Sequence, residues 1–369
     1  MLKYANEAGA RGAGWALLVA ALSVGCSAST TAGGANGSTS SSSSSGGANG
    51  TGSSSGSSGE ADASGAAACA DDAGVSTSGA TVWTDGTSQA TTVTIAAGST
   101  TIIAPGATIS MAAAAGLVVR GTLVASSVCG AHANLAWPSG ATAGITVAQG
   151  GLLRLDGVDI SGAASALNLL GGATAEYDHG TITGATTPFF VGAAATLNTN
   201  GATVTGTRGA SSIVGSLVAT NLDYDSNGNS GIFANDASTL DIRNSKLHGS
   251  GPVTDMVISG GSVGGTIHVQ NTEIYQVHCA FHFEPVKTFD ISYTNMHDNA
   301  FGFMLYGSAT AGGTMTYSNV DATNAVPFST ALNNGPITFD HCYIPAGLAA
   351  APVTITNPAS SPVAGTGQM

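Results

Sequence analysis

Apolar and polar residues alternate along most of this chain in short stretches, broken by Gly, Asn, Asp and Ser. Alternation with a period of two places one set of side chains on each face of a β-strand. One unit recurs: a short alternating stretch, a polar break of about three residues, then an apolar residue followed by a polar one. It occupies 155–160, 177–182, 199–204, 219–224, 242–247, 269–274, 291–296, 317–322 and 339–344. Its closing apolar residues are Ile160, Ile182, Val204, Tyr224, Leu247, Ile274, Met296, Ala322 and Ile344, separated by 22, 22, 20, 23, 27, 22, 26 and 22 residues.

A strand-rich repeat of this length predicts a solenoid, in which each turn stacks on the last and equivalent side chains form columns. Leucine-rich repeats share the length but need a dense Leu frame, which is absent. A sandwich has short strands without one motif at one spacing. The pattern therefore predicts an all-β fold, a right-handed single-stranded parallel β-helix of about 12 rungs. The strand spacing makes such a rod roughly 55 Å long. The third residue before the closing position is Asn221, Asn244, Asn271 and Asn319 in four repeats, with His179 and His341 in two others. A buried Asn at a tight bend can adopt the left-handed conformation and pass amide hydrogen bonds to the next rung. This column resembles the asparagine ladder of pectate-lyase-like β-helices, although Asn is also common in turns generally. The run from Val93 to Ile109, followed by Leu117 to Val124, resembles the opening of many bacterial right-handed parallel β-helix proteins. The resemblance covers about 265 residues and implies a fold; lyases, hydrolases, adhesins and proteins of no known activity share it.

The N-terminus has a different pattern. Lys3 and Arg11 precede an apolar run from Trp15 to Val24, too short to span a bilayer but suited to an export signal. Leu22, Ser23, Val24, Gly25 and Cys26 follow, and resemble a lipobox with Leu displaced by one position. The resemblance implies cleavage before Cys26 and lipidation of its sulfur and new N-terminus. Ser27 in place of Asp resembles outer-membrane sorting. Residues 27–68 are almost wholly Ser, Gly, Ala, Thr and Asn, and cannot bury enough apolar area to offset chain entropy. The expected organisation is a lipoprotein signal peptide (1–25), a disordered linker (26–68), an N-terminal cap (69–90), the β-helix (91–344) and a C-terminal cap and tail (345–369). The expected location is the outer membrane or cell surface, with membrane contact through the lipid anchor alone.

Charge narrows the partners. The chain has 8 Lys and Arg against 21 Asp and Glu, a formal charge of −13. Clustered basic residues for a phosphate backbone are absent, which excludes nucleic acid as an expected partner. Anionic polysaccharide is repelled unless a cation bridges the charges. Export permits disulfides, and a Cys69–Cys129 bridge could pin the start of the domain. Cys279 and Cys342 fall about two rungs apart, too far for a bridge, and are expected to be free and buried. No zinc motif, phosphate loop or dinucleotide fingerprint stands in context, so neither a metal nor a cofactor is expected.

Charged residues become frequent between Asp223 and Asp298. The residue after the closing position should point outward. In four consecutive repeats it is Asp225, His248, Tyr275 and His297, with Asp298 beside the last. Such a column could bind sugar, the ring covering a pyranose face, or could be a polar turn edge. A second group is His278, His282, Glu284 and Lys287. His278 and His282 are about 13 Å apart on a straight strand and cannot share a metal unless the strand bends. His282 and Glu284 share a face about 7 Å apart, where they could do acid–base work or form a solvent-facing edge. Arg243 has Asp241 and Asp223 as conceivable neighbours, without the acidic cluster of a pectate lyase or the Asp motifs of glycosidases with this fold. The leading expectation is a monomeric surface lipoprotein that binds polysaccharide or another surface partner without catalysis. The alternatives are a polysaccharide lyase or glycoside hydrolase using His248, His282, Glu284 or His297, and a passive structural spacer.

Overall fold

A computed structural model describes residues 78–369 except 128–130, 252, 261–263, 285, 307–311, 322, 325, 332–336, 345–352 and 368–369, with backbone alone at 306 and 326–331. Cys26, the linker and the Cys69–Cys129 pair therefore lie outside the described residues, as does Ala322. Every named element is a β-strand. The strands form three sheets of 13, 11 and 11 strands, and each strand neighbours the equivalent one a turn earlier and a turn later. The described residues thus form a parallel β-helix of about 11 turns. Leu153, Ala175 and Leu197 stand in register on the first sheet, 22 residues apart. Ile160, Ile182, Val204, Tyr224, Leu247, Ile274 and Met296 form one column on the second sheet. Leu117, Ile145, Leu167 and Phe189 do so on the third.

The coil is longer than its sequence signature. Thr81–Trp83 already pairs in parallel with the first sheet, and Ser88–Gln89 with the second. Trp83 is buried there, so the expected cap at 69–90 includes part of the first turn. At the other end Val353–Thr356 adds a further strand to the first sheet.

Alternation sorts side chains between core and solvent, as in Leu152–Asp156, where only Leu153 and Leu155 are buried. The interior changes along the chain. Ala, Leu, Ile and Val fill the early turns. Phe281, Phe283, Phe289, Phe303 and Phe339 fill the late ones, with Phe303 touching the other four at ring-centroid distances of 5.4 to 5.8 Å. Gly313 faces Phe289 in the preceding turn, and a Cβ there would sit 2.4 Å from that ring. Two buried tyrosines satisfy their hydroxyls internally: Tyr177 donates to the Val158 carbonyl at 2.9 Å, and Tyr224 meets Ser211 Oγ at 3.1 Å and the Gly231 carbonyl at 3.2 Å.

From Asp156 onward, the corner between the first and second sheets is a left-handed residue in each described turn. Gly157, His179, Gly201, Asn221, Asn244, Asn271, Tyr293, Tyr317 and His341 all have φ between 47° and 66°. Asn221, Asn244 and Asn271 occupy the expected column, but on its solvent side rather than buried, because the left-handed corner turns their side chains outward. Asn221 donates to Asn200 Oδ1, and Asn271 to Asn244 Oδ1, both at 2.9 Å. Asn319 does not belong to the column. Met296 pairs with Val320 rather than Ala322, so the corner residue of that turn is Tyr317. Asn319 instead lies on the second sheet, buried, where its amide clasps the C-terminal segment through the Val363 carbonyl, the Val363 N–H and Thr366 Oγ1.

A buried ladder of hydroxyls stands one residue after the corner. Ser245, Thr272, Thr294 and Ser318 are fully buried. Each hydroxyl donates to the carbonyl two residues earlier, at 2.7, 2.9, 3.1 and 2.8 Å. Ser245 and Ser318 also accept the N–H of Leu222 and Thr294 from the turn before. A corner carbonyl turned inward needs a partner, and these hydroxyls supply one. Cys342 continues the column, its thiol 3.4 Å from the Asp340 carbonyl. Cys279 and Cys342 are both free and buried.

Candidate functional site

On the solvent face of the second sheet Asp225, His248, Tyr275 and His297 stand in register in consecutive turns. Their rings stack on one another. His248 and Tyr275 have centroids 5.1 Å apart and planes within 12°, and Tyr275 and His297 are 5.2 Å apart within 8°. Both faces of Tyr275 are thus covered by imidazoles, and its edge is what solvent meets. The expected platform for a pyranose face is absent at Tyr275, because rings repeated in register satisfy one another. Carboxylates flank the stack. His248 Nε2 donates to Asp223 Oδ1 at 3.0 Å. His297 meets Glu273 Oε1 at 3.0 Å through Nε2 and Asp298 Oδ2 at 2.8 Å through Nδ1. The hydrogen bond with Asp223 raises the pKa of His248 against the opposing effect of burial, and the same bond lowers that of Asp223. Arg243 turns to Asp241, which accepts from Nε and Nη2 at 2.8 and 2.7 Å, and leaves Asp223 to His248.

The second group gathers around a residue with no motif of its own. Asp255 lies just ahead of the third-sheet strand Val257–Gly260. His278 Nδ1 donates to its Oδ1 at 2.7 Å, and His282 Nδ1 to its Oδ2 at 2.5 Å. The chain bends at 276–278 before the strand Cys279–Phe283, which brings the two histidines to one carboxylate despite their separation in sequence. Cys279 Sγ lies 3.3 Å from His278 Nδ1. Burial pushes Asp255 up, but hydrogen bonds from His282 and His278 and the charge of His282 outweigh it and hold its carboxyl at about 2. His282 loses from burial and gains more from Asp255, so its pKa rises. Burial, then the Asp255 charge, push the Cys279 thiol far up, which makes it a poor nucleophile. Phe281 and Phe283 point into the core, and His282 and Glu284 share the outer face with Nε2 and Oε1 4.0 Å apart. Lys287 is exposed.

A third constellation lies on the first sheet, outside the expected region. Arg154 and Glu176 are register partners in adjacent turns, as are Asp156 and Asp178. With His179 at the corner they line a cleft of about 290 Å³. Arg154 Nε lies 3.1 Å from Glu176 Oε2. His179 Nδ1 donates to Asp156 Oδ1, and Ser127 Oγ to Asp156 Oδ2, both at 2.8 Å. The Asn200 N–H donates to Asp178 Oδ1 at 2.7 Å. The two aspartates are driven apart electrostatically. Burial raises Asp156, but the His179 and Ser127 hydrogen bonds more than cancel it, so its pKa falls. Burial dominates at Asp178, whose pKa rises despite the Asn200 N–H. Three carboxylates, a guanidinium and an imidazole thus converge from two turns.

All eight histidines have a carboxylate oxygen within 4.0 Å. With 8 Lys and Arg for 21 acids, imidazoles do much of the local charge matching. No family model, curated protein or solved structure matches the chain.

Proposed function

We propose that this β-helix is an exported, lipid-anchored surface protein that binds a neutral polysaccharide without cleaving it. The observation that carries the reading is the cleft formed by Arg154, Asp156, Glu176, Asp178 and His179. Ionised carboxylates accept from paired sugar hydroxyls, and Arg and imidazole N–H groups donate to ring and hydroxyl oxygens. Repeating turns also suit a repeating ligand, since an extended glycan can run along columns of like side chains. The acidic lining and the formal charge of −13 disfavour uronates and favour neutral chains. The stack of His248, Tyr275 and His297 offers polar edges alongside Asp223 and Glu273, a second row of hydrogen-bonding groups for the same ligand class. Anchoring rests on the sequence from Leu22 to Cys26.

The opposed shifts of Asp156 and Asp178 favour a second reading, glycoside hydrolysis, in which Asp178 is the more readily protonated of the two and Asp156 the more readily ionised. One experiment separates the readings. The full chain is incubated with a panel of neutral and acidic glycans and scored for bound protein, reducing ends and unsaturated products. Retention on a neutral glycan, reduced at least tenfold by Glu176→Gln with Asp178→Asn, without new ends, is the expected result. New reducing ends lost in Asp178→Asn would establish the hydrolase. Silence across the panel would refute both readings in favour of a structural spacer. Radiolabelled fatty acid should enter the wild-type chain and not Cys26→Ala.

A further inference from the structure

The geometry points to a metal site at Asp255, His278 and Cys279 that takes a borderline divalent transition cation of the zinc class. The three donor atoms come from two consecutive turns. Val257 pairs with Phe281, so two residues earlier Asp255 stands opposite Cys279 in the same register. His278 precedes Cys279 in the chain, and the bend at 276–278 turns its ring to the same point. One oxygen, one nitrogen and one sulfur then lie within 4.8 Å of one another. His278 Nδ1 is 2.7 Å from Asp255 Oδ1 and 3.3 Å from Cys279 Sγ.

Tetrahedral zinc, with bonds of about 2.0 Å to N and O and about 2.3 Å to S, needs donor spacings of roughly 3.3 to 3.5 Å. The N···S spacing of 3.3 Å is already close to that value. The N···O hydrogen bond of 2.7 Å must open by a few tenths of an ångström as its proton leaves. The donor set selects the ion. A thiolate and an imidazole favour zinc-class cations over calcium or magnesium, which require oxygen. His282 holds the other oxygen of Asp255 at 2.5 Å and fixes the carboxylate's orientation, the part that outer-shell partners play at metal centres. His282 is thus a positioning residue. Cys279 is fully buried and forms the floor of the site, while the His278 side chain is 37% exposed and opens it to solvent. A fourth coordination position is therefore left to water. Binding releases the thiol proton of Cys279, and His278 binds through Nδ1 as the neutral tautomer that carries its proton on Nε2.

The test uses the full chain, stripped by chelator and titrated with cobalt(II) as a spectroscopic probe and zinc as competitor. The expected result is one cation per chain, a sulfur-to-cobalt charge-transfer band, and loss of that band when zinc is added. Cys279→Ser should abolish the band and Cys342→Ser should leave it unchanged. His278→Gln, a change at a partly exposed side chain that preserves the fold by circular dichroism, should weaken cobalt binding at least tenfold. Replacing His282 with Asn should weaken it less while keeping the band. Absence of a charge-transfer band, or a band that survives Cys279→Ser or an affinity unchanged in His278→Gln, would overturn the assignment.

Discussion

Phe303 is the residue whose removal should most weaken the late turns. Its ring is fully buried and meets Phe281, Phe283, Phe289 and Phe339 at 5.4 to 5.8 Å. Phe303→Ala removes a large apolar surface and leaves a cavity, at a cost of about 3–5 kcal/mol. Four aromatic partners place the site at the upper end, since each such pair contributes about 0.5–1.5 kcal/mol beyond area. The loss should stay local, because a turn of a solenoid touches only its neighbours. The proper assay is amide hydrogen exchange, which reads opening turn by turn. A cost near 4 kcal/mol raises the opening constant roughly a thousandfold. Exchange should quicken by that order in Gly313–Thr316 and Ile337–Asp340 and remain unchanged in Leu152–Asp156. Phe190→Ala is the control, since that ring lies only partly buried on the outer face. A penalty for Phe303→Ala below about 1 kcal/mol, or equal to that of Phe190→Ala, would refute the reasoning about a shared aromatic core.

Three further outcomes are expected. Gly144→Ala would put a Cβ 1.7 Å from the Ser165 carbonyl oxygen, a backbone atom with nowhere to go, so soluble yield and melting temperature should both fall, with a penalty of about 3 kcal/mol. Tyr224→Phe strips the hydroxyl from Ser211 and the Gly231 carbonyl in a fully buried site and should cost about 1–3 kcal/mol in urea unfolding, an unchanged midpoint counting against it. The stability contributed by raised-pKa His248 is complete below the free imidazole value of about 6.5 and disappears as pH rises through its folded value; its partner Asp223, lowered in the fold, contributes above about 3.9 and loses that contribution as pH falls. An NMR titration should show the His248 midpoint drop in Asp223→Asn, and no movement would exclude the pair as the cause.

The columns were legible because they need only a spacing. Asp225, His248, Tyr275 and His297 occur one per repeat after an apolar residue, and stacking the repeats aligns them. The stacking of their rings on one another was not legible, since sequence shows neither rotamer nor which face a neighbour covers. Asn319 misled for a chemical reason: Asn suits a left-handed corner and a buried amide clasp equally well, whereas Tyr293 and Tyr317 at the true corner carry no such signal. Asp255 carries no motif in the sequence, and only the bend at 276–278 brings His278 to it. Arg154, Glu176 and Asp178 read as isolated charges in a sparsely charged stretch, and become a cleft only when two turns are laid together.

The shift from aliphatic to aromatic filling gives the coil a mechanical polarity. Tension applied through the chain ahead of Thr81 enters at the turns filled with Ala, Val and Ile, and reaches the interlocked phenylalanines last. Such a load peels hydrogen-bonded rungs from the sheets one after another, each yielding a further length of slack, while the far end stays wound. A protein held at its N-terminus and gripped elsewhere would in this way lengthen under shear like a ripcord before it let go.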